Sequence, residues 1–159
     1  MSAHRYVVGL GSNMRVGRIG GPRAVVRDAF RVLDDRFDLL ASSRIIDSVP
    51  VGPSRRRYAN AAALIATDKR PPELLSALQA IEQGYGRRRL GQRWRARPLD
   101  LDIVLWDGGA FAAADLTIPH PLWRVRPFVS GPVAEIVSRW RDPHSGLTAR
   151  QTHARLQRA

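Results

Sequence analysis

Cysteine is absent from the 159 residues, so neither a disulfide framework nor a thiolate metal site can form, and nothing points to an oxidising compartment. Lysine is almost absent as well. Lys69 is the single example, and Asp68 before it rules out a phosphate-binding loop of the Walker A kind. No apolar run approaches the ~20 residues of a membrane span. The stretch Met1 to Leu10 lacks both the apolar length and the cleavage site of a secretory signal. The expectation is a cytoplasmic protein without a membrane partner. The four histidines, His4, His120, His144 and His153, have no zinc-ligand spacing. There is no G-x-S-x-G elbow. Gly9-Leu10-Gly11 begins like a dinucleotide fingerprint, but Met14 stands at the third glycine position and no parallel βαβ unit follows.

What the chain does have is positive charge, a formal +12 at pH 7. Such a balance asks for an acidic partner: nucleic acid, an anionic membrane surface or a polyphosphate substrate. Composition alone does not choose among them. The dominance of arginine over lysine fits genomic base bias as well as it fits bidentate phosphate contacts. With 44% hydrophobic residues, the chain can bury a core of its own, and a single domain over residues 1–159 is expected.

Along the chain, Tyr6 to Leu10 reads as a buried first strand stopped by Gly11. Pro22 opens a helix to about Arg36, with Ala24, Val25, Ala29, Val32 and Leu33 at helical spacing. Leu39 to Val49 suits a second strand and Tyr58 to Ala66 a third. Pro71 and Pro72 open a helix carrying Leu74, Leu75, Leu78 and Ile81, which ends near Gly84 or Gly86, and Leu99 to Trp106 alternates as a fourth strand. Strand, helix, strand, strand, helix, strand is the order of a ferredoxin-like antiparallel sheet with helices on one face, an α+β fold. From Asp107 the quick succession Pro119, Pro121, Pro127 and Pro132 predicts loops and short elements, and the polar, basic tail Ser138 to Ala159 is expected to fray at its end.

The sharpest chemical signal is Asp100-Leu101-Asp102-Ile103. On a strand the two-residue period sets both carboxylates on one face and both aliphatics on the core face. Two such acids, roughly 6 to 7 Å apart, either pair with nearby arginines or hold a cation, and hard oxygen ligands suit Mg²⁺ bridged to phosphate oxygens. Just upstream lie Arg87, Arg88, Arg89, Arg93, Arg95 and Arg97, with Gly84, Gly86, Gly91 and Trp94 among them. A glycine-interleaved cationic loop feeding into an acidic pair is the parts list of phosphoryl transfer. Asn60 inside the apolar strand needs a partner or ligand for its amide. Tyr58 and Phe128 read equally as core aromatics or as stacking platforms.

Taken in order, Gly9-Leu10-Gly11-Ser12-Asn13, Tyr58-Ala59-Asn60-Ala61-Ala62, Ile81-Glu82, Arg87 with Arg89, Arg93-Trp94, Arg97, Leu99 to Ile103, and Pro119-His120-Pro121 followed by Arg126 and Phe128 resemble the 6-hydroxymethyl-7,8-dihydropterin pyrophosphokinases. The resemblance runs from about Tyr6 to Ile136. It implies transfer of pyrophosphate from ATP to the hydroxymethyl group of a reduced pterin, with AMP released, in folate biosynthesis. By the same resemblance Asp100 and Asp102 hold two Mg²⁺ ions and act with Arg87 and Arg97 as the catalytic set. Arg89 and Arg93 approach the phosphates or order the closing loop. Gln79, Glu82, Ile103, Thr117, His120 and Arg126 take the nucleotide. The pterin lies between Tyr58 and Phe128, reads Asn60 and backbone groups of Ser48 to Val51, and is sealed in by Trp94. The partners implied are ATP and a reduced pterin, with no nucleic acid, and a monomer is expected.

The chain departs from the family's pattern at Arg95-Ala96, where Gly-Pro is usual, at Pro98, in the basic loop Met14 to Pro22, and in the extra residue of Arg44 to Pro50. Two rivals remain at this level. One is an RNA-binding module on the same fold, although its strands lack stacking aromatics and carry an acidic pair. The other is a degenerate relative that only binds.

Overall fold

The computed structural model describes residues 3–48, 57–86 and 98–158. Strand β1 (His4–Ser12) runs through the middle of the sheet and is buried on both faces, as a central strand of Tyr, Val and Leu must be. Helix α1 (Pro22–Arg36) starts with proline in its first turn, where the missing N–H removes no intrahelical bond, and buries Val25, Val26, Ala29 and Leu33.

The single strand expected over Leu39 to Val49 is two short ones, β2 (Asp38–Ser42) and β3 (Ile46–Ser48). Ser43 is the cause. Its backbone N–H donates to the Ala62 carbonyl at 2.9 Å, and its hydroxyl, not its carbonyl, accepts the Ala62 N–H at 2.8 Å. The ladder is therefore interrupted where a side chain replaces main chain. Both pieces pair with β4 (Tyr58–Thr67).

Helix α2 (Pro71–Gly84) is capped by the Glu73 carboxylate, which accepts the Arg70 N–H at 2.9 Å, and is followed by Gly86 at φ +91°. Strand β5 (Asp100–Trp106) completes an antiparallel sheet in the order β2-β4-β1-β5, the ferredoxin-like arrangement. Val7 pairs with Leu105 and Val8 with Ile103, so Val104 is the extra residue of a β-bulge.

Beyond β5 come the short elements expected there, while the tail, expected to fray at its end, carries a helix. A hairpin of β6 (Phe111–Ala113) and β7 (Leu116–Ile118) leads through a 3₁₀ turn at Trp123–Val125 into α3 (Pro127–Ile136), and α4 (Ala149–Arg158) follows. Pro127 sits in the first turn, where proline is tolerated. Pro132 lies inside α3 at a typical cost of about 3 kcal/mol. Burial of Trp123, Val133 and Val137 against Val7, Val104 and Leu105, at roughly 1.5–3 kcal/mol per side chain, more than offsets it. Instead of fraying, α4 docks on α3, with the Ser130 hydroxyl 2.7 Å from His153 Nδ1.

Helices therefore cover both faces of the sheet, not one. The larger core packs α1 and α2 on Tyr6, Val8, Leu10, Ala61, Ile65, Leu101 and Ile103. The smaller one, under α3, leaves part of the second face uncovered, and the candidate site lies there.

Candidate active site

Two cross-strand rows form its floor. Asn60 on β4 pairs with Gly11 on β1, which pairs with Asp100 on β5, and one step along the ladder Ala62 pairs with Gly9, which pairs with Asp102. The amide and the acids thus stand on either side of a strip that carries no side chain. A ligand can lie directly on the β1 backbone. A Cβ at Gly11 would stand 3.2 Å from Asn60 Nδ2, and one at Gly9 3.3 Å from Val104 Cγ2.

Above this floor is a cavity of about 650 Å³, lined further by Ser48, Tyr58, His120 and the segment Val125 to Val129. Leu101 and Ile103 are each 3% exposed in the main core while Asp100 and Asp102 face the cavity, as the alternation required. Among the described residues no cluster of three or more His, Cys, Asp or Glu side chains could hold a metal. Two carboxylates opening on a cavity nonetheless fit Mg²⁺, which takes one or two protein oxygens and completes its shell with water and phosphate.

Asn60 is 8% exposed, and its Oδ1 accepts the Ser48 hydroxyl at 2.7 Å. That bond fixes the amide's orientation and turns its NH₂ toward Gly11. His120 is held by its backbone N–H, which donates to the Val104 carbonyl at 3.0 Å, and by its Nδ1, which accepts the Leu122 N–H at 3.1 Å. Desolvation pushes its imidazole below the ordinary histidine value; Asp102 opposes that shift and Arg126 adds to it. A neutral ring with Nδ1 occupied as acceptor presents Nε2–H as a donor. The Arg126 guanidinium carbon lies 5.9 Å from the centre of the Phe128 ring, so charge and aromatic face are presented together.

Of the residues singled out in the sequence, Asp100, Asp102, His120, Arg126, Ser48, Tyr58, Asn60 and Phe128 all line this cavity. Four do not. Gln79 is exposed on α2, Thr117 is exposed on β7, and Ile103 is in the core. Glu82 is 5% exposed and accepts the Leu101 N–H at 2.7 Å, which makes it a support for β5. Val51, Arg87, Arg89, Arg93, Trp94 and Arg97 lie outside the described residues. Sequence reasoning missed Gly9, Gly11, Val104, Val125 and Val129 as lining residues. For the glycines the available signal was their two-residue spacing, which matches that of the acids.

The family model described as 7,8-dihydro-6-hydroxymethylpterin-pyrophosphokinase matches residues 7–138. The 2-amino-4-hydroxy-6-hydroxymethyldihydropteridine pyrophosphokinase of Synechocystis sp. is 38% identical over 157 residues, covering 91% of this chain and 72% of that one. Its namesake from Pseudomonas aeruginosa is 39% identical over 140 residues, covering 87% and 84%. Among solved structures, an HPPK-DHPS in complex with substrates superposes with a TM-score of 0.76 at 11% identity over 98% of this chain, which spans 45% of that longer one. The last likeness speaks for the fold; the family match and the relatives speak for kinship, and the chain belongs to the 7,8-dihydro-6-hydroxymethylpterin-pyrophosphokinase family.

Proposed function

We propose that this cavity is where the chain performs its family's reaction, the Mg²⁺-dependent transfer of pyrophosphate from ATP to the hydroxymethyl group of 6-hydroxymethyl-7,8-dihydropterin, a step of folate biosynthesis. The observation that carries the assignment is the row Asn60, Gly11, Asp100, which sets a recognition amide and an acidic pair on opposite sides of a bare strip of β1. A flat heterocycle resting on that strip meets the Asn60 NH₂ at its acceptor edge, with Tyr58 and Phe128 as the aromatic walls. Its hydroxymethyl group then points along the floor toward Asp100 and Asp102.

Asp100 and Asp102 would hold two Mg²⁺ ions, which when bound supply neutralisation of the triphosphate charge. His120 and Arg126 face the same space, one as a neutral donor and the other as a fixed cation, and both suit phosphate oxygens. In the transfer, the substrate oxygen bonds to the β-phosphorus, the bond from that phosphorus to the α-bridging oxygen breaks, AMP leaves with the electron pair, and the hydroxyl proton passes to solvent. The residues contribute positioning and preorganised charge, which dominate phosphoryl transfer. Arg87 and Arg97 belong to the catalytic set on this reading, with Arg89, Arg93 and Trp94 around the substrates and Val51 beside the pterin.

A single domain, working as a cytoplasmic monomer, completes the proposal. Among the described residues no helix is long and apolar enough to cross a membrane. Incubation with ATP, Mg²⁺ and the pterin, followed by identification of both products, tests the reading. AMP with a pterin pyrophosphate supports it, whereas ADP or an unchanged pterin refutes it.

A further inference from the structure

One wall of the cavity is the segment Val125 to Val129, including Arg126 and Phe128, and its first residue is the last of the 3₁₀ turn Trp123–Val125. What fixes that turn is a carboxylate from much later in the chain. Asp142 is fully buried, and its Oδ2 accepts from the Trp123 indole N–H at 3.1 Å and from Arg124 Nε. Its Oδ1 accepts from Arg124 Nη2 at 2.9 Å, from the His144 N–H at 2.8 Å and from the Ser145 N–H at 3.3 Å. Two consecutive side chains of the turn are thus clamped to one anion.

The anion is itself held rigidly. The Asp142 N–H donates to the Leu147 carbonyl at 2.9 Å, and its own carbonyl accepts the Gly146 N–H at 2.8 Å, closing a short turn bridged by Arg141 and Thr148. A buried ion pair is a weak source of net stability, because desolvation cancels most of the attraction. Its strength is direction: the planar fork of arginine accepts one orientation of its carboxylate.

We infer that Asp142 is a positioning residue for substrate binding, which through Trp123 and Arg124 fixes the placement of Arg126 and Phe128 over the substrates. The inference rests on the proposed function. A loosened wall loses contacts made to bound substrate and to the transition state alike, which raises KM and leaves kcat largely unchanged.

The test compares Asp142→Asn, which keeps the shape but turns an amide toward the guanidinium, with Arg124→Lys, which keeps the charge without the fork. Val25→Ala, on α1 against the opposite face of the sheet, serves as a control for lost stability. Steady-state kinetics in ATP and pterin, with thermal melts of every variant, should show KM for both substrates raised, that for the pterin roughly tenfold, in Asp142→Asn and Arg124→Lys, and kcat held within about twofold. Val25→Ala should lower the melting temperature with KM unchanged. A folded Asp142→Asn or Arg124→Lys with wild-type KM would overturn the inference, as would a Val25→Ala whose KM rises in step with its lost stability. A wild-type chain without turnover would overturn the proposed function as well, and that outcome is read from the wild type alone.

Discussion

Glu82 on α2 accepts the backbone N–H of Leu101 at 2.7 Å, directly between the two acids of β5. Because β5 is the last strand of the sheet order, that N–H points off the edge and would otherwise be buried without a strand partner. A helix side chain thereby stands in for a missing neighbour strand and steadies the segment that carries Asp100 and Asp102.

Glu82→Ala should therefore destabilise the fold by about 1–3 kcal/mol, the cost of stranding a buried donor. Glu82→Gln keeps an acceptor and should cost less. Urea unfolding of the three chains checks this order, and equal stability of all three would remove Glu82 from any supporting role.

Asp100→Asn and Asp102→Asn should each lower turnover by two or more orders of magnitude, since loss of one preorganised charge in such sites costs several kcal/mol of transition-state stabilisation. Folding should survive, because both side chains face the cavity and not the core. Turnover measured against Mg²⁺ concentration, beside far-ultraviolet dichroism, is the check. Near-normal Mg²⁺-dependent turnover in either variant would defeat the metal assignment.

Gly11→Ala bears on recognition. The added Cβ would come within 3.2 Å of Asn60 Nδ2, tighter than ordinary contact, so the amide that Ser48 orients must turn or shift. Pterin affinity should fall roughly tenfold, the worth of one hydrogen bond at about 1.4 kcal/mol, with ATP affinity changed much less. Calorimetric titration of each ligand measures the difference, and a parallel loss of both would indicate general disruption of the floor.

The core of the fold was legible because its signals are local. Alternation in Asp100 to Ile103, prolines opening α1 and α2, and an amide stranded in Tyr58 to Ala66 each carry their meaning within a few residues. The unread parts depend on partners distant in sequence. Ser43 breaks a strand only because Ala62 lies opposite, and Gly9 and Gly11 become a ligand floor only because Asn60 and the two acids flank them across the sheet. Prolines in quick succession read as breakers, yet Pro127 starts a helix and Pro132 lies within it, beside the buried Val133. Helix α4 is hard to see because it buries small residues, Ala149 and Thr152, where a periodicity search looks for large apolar ones. Glu82 lay on the expected helix, but its spacing did not tell that it would turn to the edge of β5.

Asp142 also sets an acid limit on stability. Burial alone would push its carboxyl up, but the Arg124 guanidinium, the His144 and Ser145 N–H groups and the Trp123 indole outweigh burial and hold it below the usual carboxylate range. In the unfolded chain the group titrates near its ordinary value of about 3.9, so on acidification the unfolded state takes up the proton first. The stabilisation is therefore fully present above that value and is lost as pH falls through the lower folded one. Asp142→Asn has no such titration. The stability gap between wild type and Asp142→Asn should stay constant from about pH 8 to 5 and shrink below about pH 4. Urea unfolding of both chains at pH 7, 5, 4 and 3 measures it. His120, whose folded value is also lowered, weakens the fold below about pH 6.5 by the same sign rule, but it is present in both chains and cancels in the difference. A gap unchanged at pH 3 would mean that the buried carboxylate is not held ionised by Arg124, and the clamp on the cavity wall would lose its electrostatic basis.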